Sequence, residues 1–224
     1  MKIITYGEAV KTIGKDGKER VKKEIRELIE ELHSNKEFRR DWEVEDTEIG
    51  IRYGKSNIDY GFASFLEQVK DILYVVKGMD NLKGKTLLDL GCGTVHNNYG
   101  IESPLDTDYP MYSFEPWICR LLPYLGVKTI GIDIENMDDE KFEHYSINLL
   151  EPNSLSFLPD NSVDVANSRW FFESPTLLKL IYGEEVNDKS PERYQIAKSE
   201  IKDILIPQLE RIVKPEGIFS YWDY

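Results

Sequence analysis

The sequence predicts an α/β protein: a doubly wound, mainly parallel sheet in three αβα layers, preceded by a mostly helical N-terminal extension. Three observations carry this. From residue 85 onward short apolar runs alternate with helical patterns. One of those runs, TLLDL, breaks abruptly at glycine. Two long irregular connections, residues 95–113 and 172–190, follow the ends of strands, which is where open α/β sheets bind ligands. The expected division is an extension or cap over residues 1–80 and a core over 81–224 that ends after the core's fifth strand.

In order along the chain, KIITYG reads as a short strand. From Glu19 to His33, Val21, Ile25, Leu28, Ile29 and Leu32 share one helical face. A polar stretch follows, with a short strand expected at IGIRY. Phe62, Phe65, Leu66, Val69, Ile72, Leu73 and Val76 then mark a second amphipathic helix ending near Gly78. TLLDL is the first core strand. FEPWICRLLPYLG is helical, closed by Gly126 and broken or kinked by Pro123. VKTIGIDI, EHYSINLL and SVDVANS are the next strands. SPERYQIAKSEIKDIL is a helix with Ser190 as N-cap and Pro191 in its first turn, and GIFSYWDY is the fifth strand.

A chain of 224 residues can build one sizeable core. No apolar run approaches the ~18 residues of a membrane span, and the start MKIITYGEAVK lacks a signal-peptide core, so the expected location is cytoplasmic. Two cysteines and three scattered histidines supply neither a disulfide framework nor a metal set. The net charge of −13 disfavours a nucleic-acid partner, which would be gripped by clustered Lys and Arg. A small-molecule substrate is the expected partner; a protein partner and a homodimer stay open.

The stretch KTLLDLGCGTVHNNYG, residues 85–100, holds the chemistry. An acid inside an apolar strand is costly unless something pairs with it, and glycines just past a strand let a ligand approach bare backbone. A dinucleotide fingerprint wants a third glycine where His96 stands. A P-loop wants a Gly-Lys-Ser/Thr that is absent. Asp89 would repel a pyrophosphate but suits a cation. Asp133 and Glu135, at the end of TIGIDIE, suit the two hydroxyls of a ribose. The ligand these residues want is an adenosine-like group carrying positive charge.

LLDLGCGT is very similar to the nucleotide-loop motif of class I S-adenosylmethionine-dependent methyltransferases, whose core is Rossmann-like. The resemblance continues in order through GIDIE, NLLEPNSLSFLPDNSVDVANS and RIVKPEGIFSYW, covering roughly residues 85–222. It implies S-adenosyl-L-methionine as cofactor. Asp89, Gly91, Cys92 and Gly93 would hold its methionine part, with Asp89 facing the ammonium. Asp133 would take the ribose hydroxyls, Ile134 would pack on the adenine, and Asn148 and the Leu149 backbone would address the adenine edge. Asn167 and Ser168 would lie beside the methyl group. His96, Arg169, Trp170 and Phe172 are the expected acceptor-pocket residues. Tyr53 and Tyr60 are placed to cover the cofactor, and His96, Glu173 and Tyr182 are the candidate bases, none singled out.

The sequence also departs from that family. Asn148 stands where an acid is usual, Glu216 replaces a glycine, and VDVANSRWF lacks the Asn-Pro-Pro-aromatic signature of amino-methylating members. Two further strands are missing after the fifth, so the sheet edge needs a cover, expected from the first eighty residues rather than a second subunit. Cys92 reads as a small loop residue rather than a nucleophile. The alternatives kept beside a methyltransferase are a non-catalytic cofactor-binding or protein-interaction module and, less favoured, an NAD-dependent oxidoreductase.

Overall fold

The computed structural model describes residues 1–43, 48–93, 116–134, 140–169, 171 and 191–221. Its centre is one six-stranded sheet in the order β1-β6-β5-β2-β3-β4. The strands are β1 (Lys2–Thr5), β2 (Thr86–Leu90), β3 (Lys128–Asp133), β4 (Glu143–Ser146), β5 (Val163–Ser168) and β6 (Val213–Tyr221). Every neighbouring pair is parallel, so all strand carboxyl ends point one way and form a single rim.

The sheet is covered on both faces, as a parallel sheet must be. On one face lie α1 (Tyr6–Thr12), α2 (Gly14–Ser34), the single turn α3 (Lys36–Phe38), α4 (Glu48–Val76) and α5 (Trp117–Leu121). The predicted stripes point inward: Val21, Leu28 and Leu32 of α2 and Phe65, Val69, Ile72, Leu73 and Val76 of α4 are buried with Leu87, Val165 and Trp117. On the other face α6 (Pro191–Ile212) packs Ile201, Leu205 and Leu209 against Leu88, Leu90, Ile130, Ile132 and Phe219. Each such side chain contributes on the order of 1.5–3 kcal/mol by leaving water. The alternation Leu87/Asp89 against Leu88/Leu90 is the period-two pattern of a strand buried on both sides.

Several boundaries differ from the sequence expectation. The short strand expected at IGIRY is helical and belongs to α4. Ile51 and Ile58 extend the stripe of Phe62, Phe65 and Val69 at helical spacing, and that continuous periodicity outweighs the local β preference of isoleucine. Pro123 divides its segment as expected: α5 stops at Leu121, a 3-10 turn covers Leu122–Leu125, and Gly126 closes it at φ 78°. β6 begins at Val213 rather than Gly217, with an irregular register beside Val163 and Val165. Ser190 lies outside the described residues.

The N-terminal segment adds a strand as well as helices. β1 pairs with β6 from Lys2↔Ile218 to Thr5↔Tyr221 and occupies the edge that β6 would otherwise leave bare. The chain passes from β1 straight into α1 through a capping box: Thr5 Oγ1 accepts from the Glu8 amide at 3.2 Å, and the Thr5 amide donates to Glu8 Oε2 at 2.9 Å. Tyr6, the first helical residue, is thereby aimed under the rim. Among the described residues no helix is long and apolar enough to cross a membrane.

Candidate functional site

At the rim, β2 ends in the loop Gly91-Cys92-Gly93. Gly91 (φ 67°) and Gly93 (φ 93°) both take left-handed conformations, which explains two glycines so close together. The Gly91 and Cys92 amides donate to the Ile132 carbonyl at 2.8 and 3.1 Å, folding the loop over the end of β3. There Asp133 Oδ2 accepts from the Gly93 amide at 2.9 Å and Oδ1 from the Ile134 amide at 2.8 Å. The carboxylate therefore staples the loop to the end of β3.

Asp89 points to the α4/α5 face beside Asn167, its register neighbour on β5. Asn167 Nδ2 donates to Asp89 Oδ1 at 2.6 Å, and the Tyr6 hydroxyl donates to Asn167 Oδ1. Ser220 Oγ lies 3.4 Å from both the Tyr6 oxygen and the Ala166 carbonyl. Burial pushes the Asp89 carboxyl up to about 7; Asp133 adds to the rise, while the Asn167 bond and Arg169 oppose it. Burial likewise raises Tyr6 far above the usual phenol range, so its hydroxyl keeps its proton.

Arg169, at the end of β5, forms a salt bridge with Asp71 of α4 at 3.2 Å, both largely buried. Its guanidinium also lowers Asp89, so the cation serves the acidic rim electrostatically. Cys92 and Cys119 pack with Phe142 over Gly131. A Cβ at Gly131 would stand 2.6 Å from Phe142 Cε2 and 2.9 Å from Cys92 Sγ. Burial raises both thiols, leaving neither as a ready thiolate at neutral pH.

Ile134 is an exposed apolar side chain next to Asp133. Asn148 Oδ1 accepts from the Leu150 amide at 3.1 Å, so the oxygen expected to face the adenine already supports a turn. Leu149 is buried with its side chain in the core of the α6 face. Ser168 Oγ is fully buried and has no hydrogen-bond partner among the described residues. His96, Trp170, Phe172, Glu135, Glu173 and Tyr182 lie outside the described residues, as do the side chains of Tyr53 and Tyr60.

The structure thus brings Asp89, Gly91, Cys92, Gly93, Asp133, Ile134 and Asn167 together at three neighbouring strand ends. Reasoning from the sequence missed Tyr6, Asp71, Ser220 and Phe171. Phe171 is the reason Gly91 has no side chain to spare: a Cβ there would meet Phe171 Cβ at 2.9 Å. A signal for Tyr6 was present in Thr5-Tyr6-Gly7-Glu8, a capping box directly after an apolar strand. Among the described residues no group of three or more His, Cys, Asp or Glu could hold a metal ion.

Fold and site together define a class: a parallel α/β protein with an acidic, glycine-turned site on the carboxyl rim of its sheet. No protein-family model matches the chain, and no curated protein matches it in sequence. Among solved structures it is similar to the trans-methyltransferase CalH in complex with SAH, at 13% identity and a TM-score of 0.29 over 84% of this chain. It spans about half of that chain, 52%.

Proposed function

We propose that the chain is an S-adenosylmethionine-dependent methyltransferase acting on a small neutral or cationic acceptor. One observation supports this above the rest: two carboxylates, Asp89 and Asp133, end adjacent strands on either side of a two-glycine loop. Asp133 stands at the tip of β3 with its carboxylate on the loop amides, and a carboxylate there can accept from both hydroxyls of a ribose diol. Asp89 Oδ2 lies 4.0 Å from the Cys119 thiol, a weak donor, and suits an ammonium.

The other assignments follow the same chemistry. Gly93, in the left-handed region, gives its amide to Asp133. Gly91, covered by Phe171, serves the turn of the loop. Ile134 offers an apolar surface to a flat ring, and Asn148 with the Leu149 backbone supplies hydrogen-bonding groups at its edge. When bound, S-adenosylmethionine supplies an electrophilic methyl group on a sulfonium whose departure leaves a neutral thioether. The protein's part is then chiefly orientation and exclusion of water. The charge of −13 favours acceptors without negative charge.

The test is calorimetric titration of S-adenosylmethionine into the wild type, Asp89→Ala and Asp133→Ala, followed by transfer of a labelled methyl group to a panel of amines and alcohols. Binding by the wild type that falls at least tenfold in each variant supports the assignment. A wild type that ignores S-adenosylmethionine and S-adenosylhomocysteine at millimolar concentration sinks it. Binding without transfer to any acceptor would point to the non-catalytic module instead.

A further inference from the structure

We propose that Tyr6 is a positioning residue of this site: by donating to Asn167 Oδ1 it turns the Asn167 amide so that Nδ2 faces Asp89 Oδ1, holding that carboxylate ready to accept from a cation. The proposal rests on assigning Asp89 to the cofactor's ammonium. It gives the N-terminal strand and helix a part in the chemistry of a rim otherwise built by the core strands.

The geometry runs in one direction. Ser220 of β6 stands behind the Tyr6 oxygen at 3.4 Å, Tyr6 donates to Asn167 of β5, and Asn167 donates to Asp89 of β2 at 2.6 Å. Tyr6, Asn167 and Ser220 are all buried, so each hydrogen has few other destinations. An amide has a donor end and an acceptor end. With the Tyr6 hydroxyl at its oxygen, only its nitrogen can meet the carboxylate. Without that hydroxyl the amide is free to turn over, and its oxygen against Asp89 then favours the protonated acid.

Tyr6 itself has little freedom. The Thr5/Glu8 capping box fixes the first turn of α1, and the pairing Thr5↔Tyr221 fixes where that turn starts. The remaining groups facing Asp89 come from every neighbouring element. Cys119 of α5 lies 4.0 Å from Oδ2; Cys92 of the glycine loop is a thiol raised in part by Asp89; Asp133 of β3 opposes ionisation; Arg169, paired with Asp71 of α4, favours it. Asn167 supplies the close hydrogen bond in this set, so its orientation decides the balance.

The test follows the aspartate side-chain carboxyl carbons by NMR from pH 5 to 9 in full-length wild type and Tyr6→Phe, with S-adenosylmethionine affinity measured at each pH. The Asp89 midpoint, about 7 in the wild type, is expected to rise by about one pH unit in Tyr6→Phe. Cofactor binding should weaken several-fold at pH 7 and be unchanged at pH 9. An unmoved midpoint, or a loss of affinity equal at every pH, overturns the proposal. Should Tyr6→Phe fail to fold, the wild type still decides: the Asn167 side-chain amide and Tyr6 hydroxyl signals must titrate with the Asp89 midpoint, and silent signals overturn it. A shifted midpoint in a protein that does not bind S-adenosylmethionine would uphold the relay and remove the cofactor assignment.

Discussion

Replacing Asp89 with asparagine should stabilise the protein while removing its ligand, and the size of the effect should depend on pH. Asp89 ionises at 3.8 when unperturbed and near 7 when folded, chiefly because it is buried. Between those values the folded state holds a proton that the unfolded chain has released. Stability therefore falls as pH rises through that window, by about 1.4 kcal/mol per pH unit, and the fall stops above the folded value. Asparagine carries no such dependence and can still accept from Asn167. From pH 5 to pH 8 the stability difference between Asp89→Asn and wild type should grow by roughly 3 kcal/mol in favour of the variant. Urea denaturation of both proteins at the two pH values measures it, and taking the difference of differences cancels the titrating groups that are not coupled to Asp89. A difference that stays flat between pH 5 and 8 would refute the claim that burial dominates this carboxyl. Calorimetry on the same samples should show the more stable variant failing to bind S-adenosylmethionine, the trade of stability against function expected at a strained site.

Three further outcomes follow from the packing. Gly131→Ala should cost about 1–3 kcal/mol in urea denaturation, because the new methyl meets Phe142 and Cys92 against β3; Phe142→Leu, which removes the nearest atom, should recover part of that loss. Arg120→Met should cost about 3–5 kcal/mol by the same assay, since it strips the partner from Glu140 in a buried ion pair closed at 2.5 Å. Thr5→Ala should cost about 1 kcal/mol through loss of the N-cap, and hydrogen exchange should show faster opening confined to the start of α1.

Most core strands could be read from the sequence because they are apolar runs bounded by glycine or polar residues, and a strand buried on both faces has few alternatives; β4, Glu143–Ser146, is polar and lies at the end of the strand order. The loop geometry was legible for the same local reason: Gly91 and Gly93 are adjacent in sequence to the strand they terminate. The relay behind Asp89 was not legible. Tyr6 and Asn167 are separated by 161 residues, and no local pattern links them; only the pairing of β1 with β6 brings Tyr6 under the rim. The helical fate of IGIRY went unread because its β-branched residues favour a strand over a few positions. The stripe that decides for a helix emerges only over several turns. Asn148 was read for its amide oxygen at the adenine edge, but the use of that oxygen in a turn depends on the path of residues 148–151 after β4.

The pairing of β1 with β6 also sets an order on the making of the protein. Translation delivers β1 long before β6, its strand partner among the described residues, so that Tyr6 waits for Ser220 across 214 residues of chain. At ordinary elongation rates of about 5–20 residues per second that wait is on the order of ten to forty seconds. Throughout it β1 has no sheet to join. β2 and β3 can pair early and shape the glycine loop, but Asp89 gains its full set of neighbours only when the end of the sheet has left the ribosome. The relay behind Asp89 therefore needs β6, and a nascent chain stalled before β6 carries the loop without Ser220 and without the strand that seats β1.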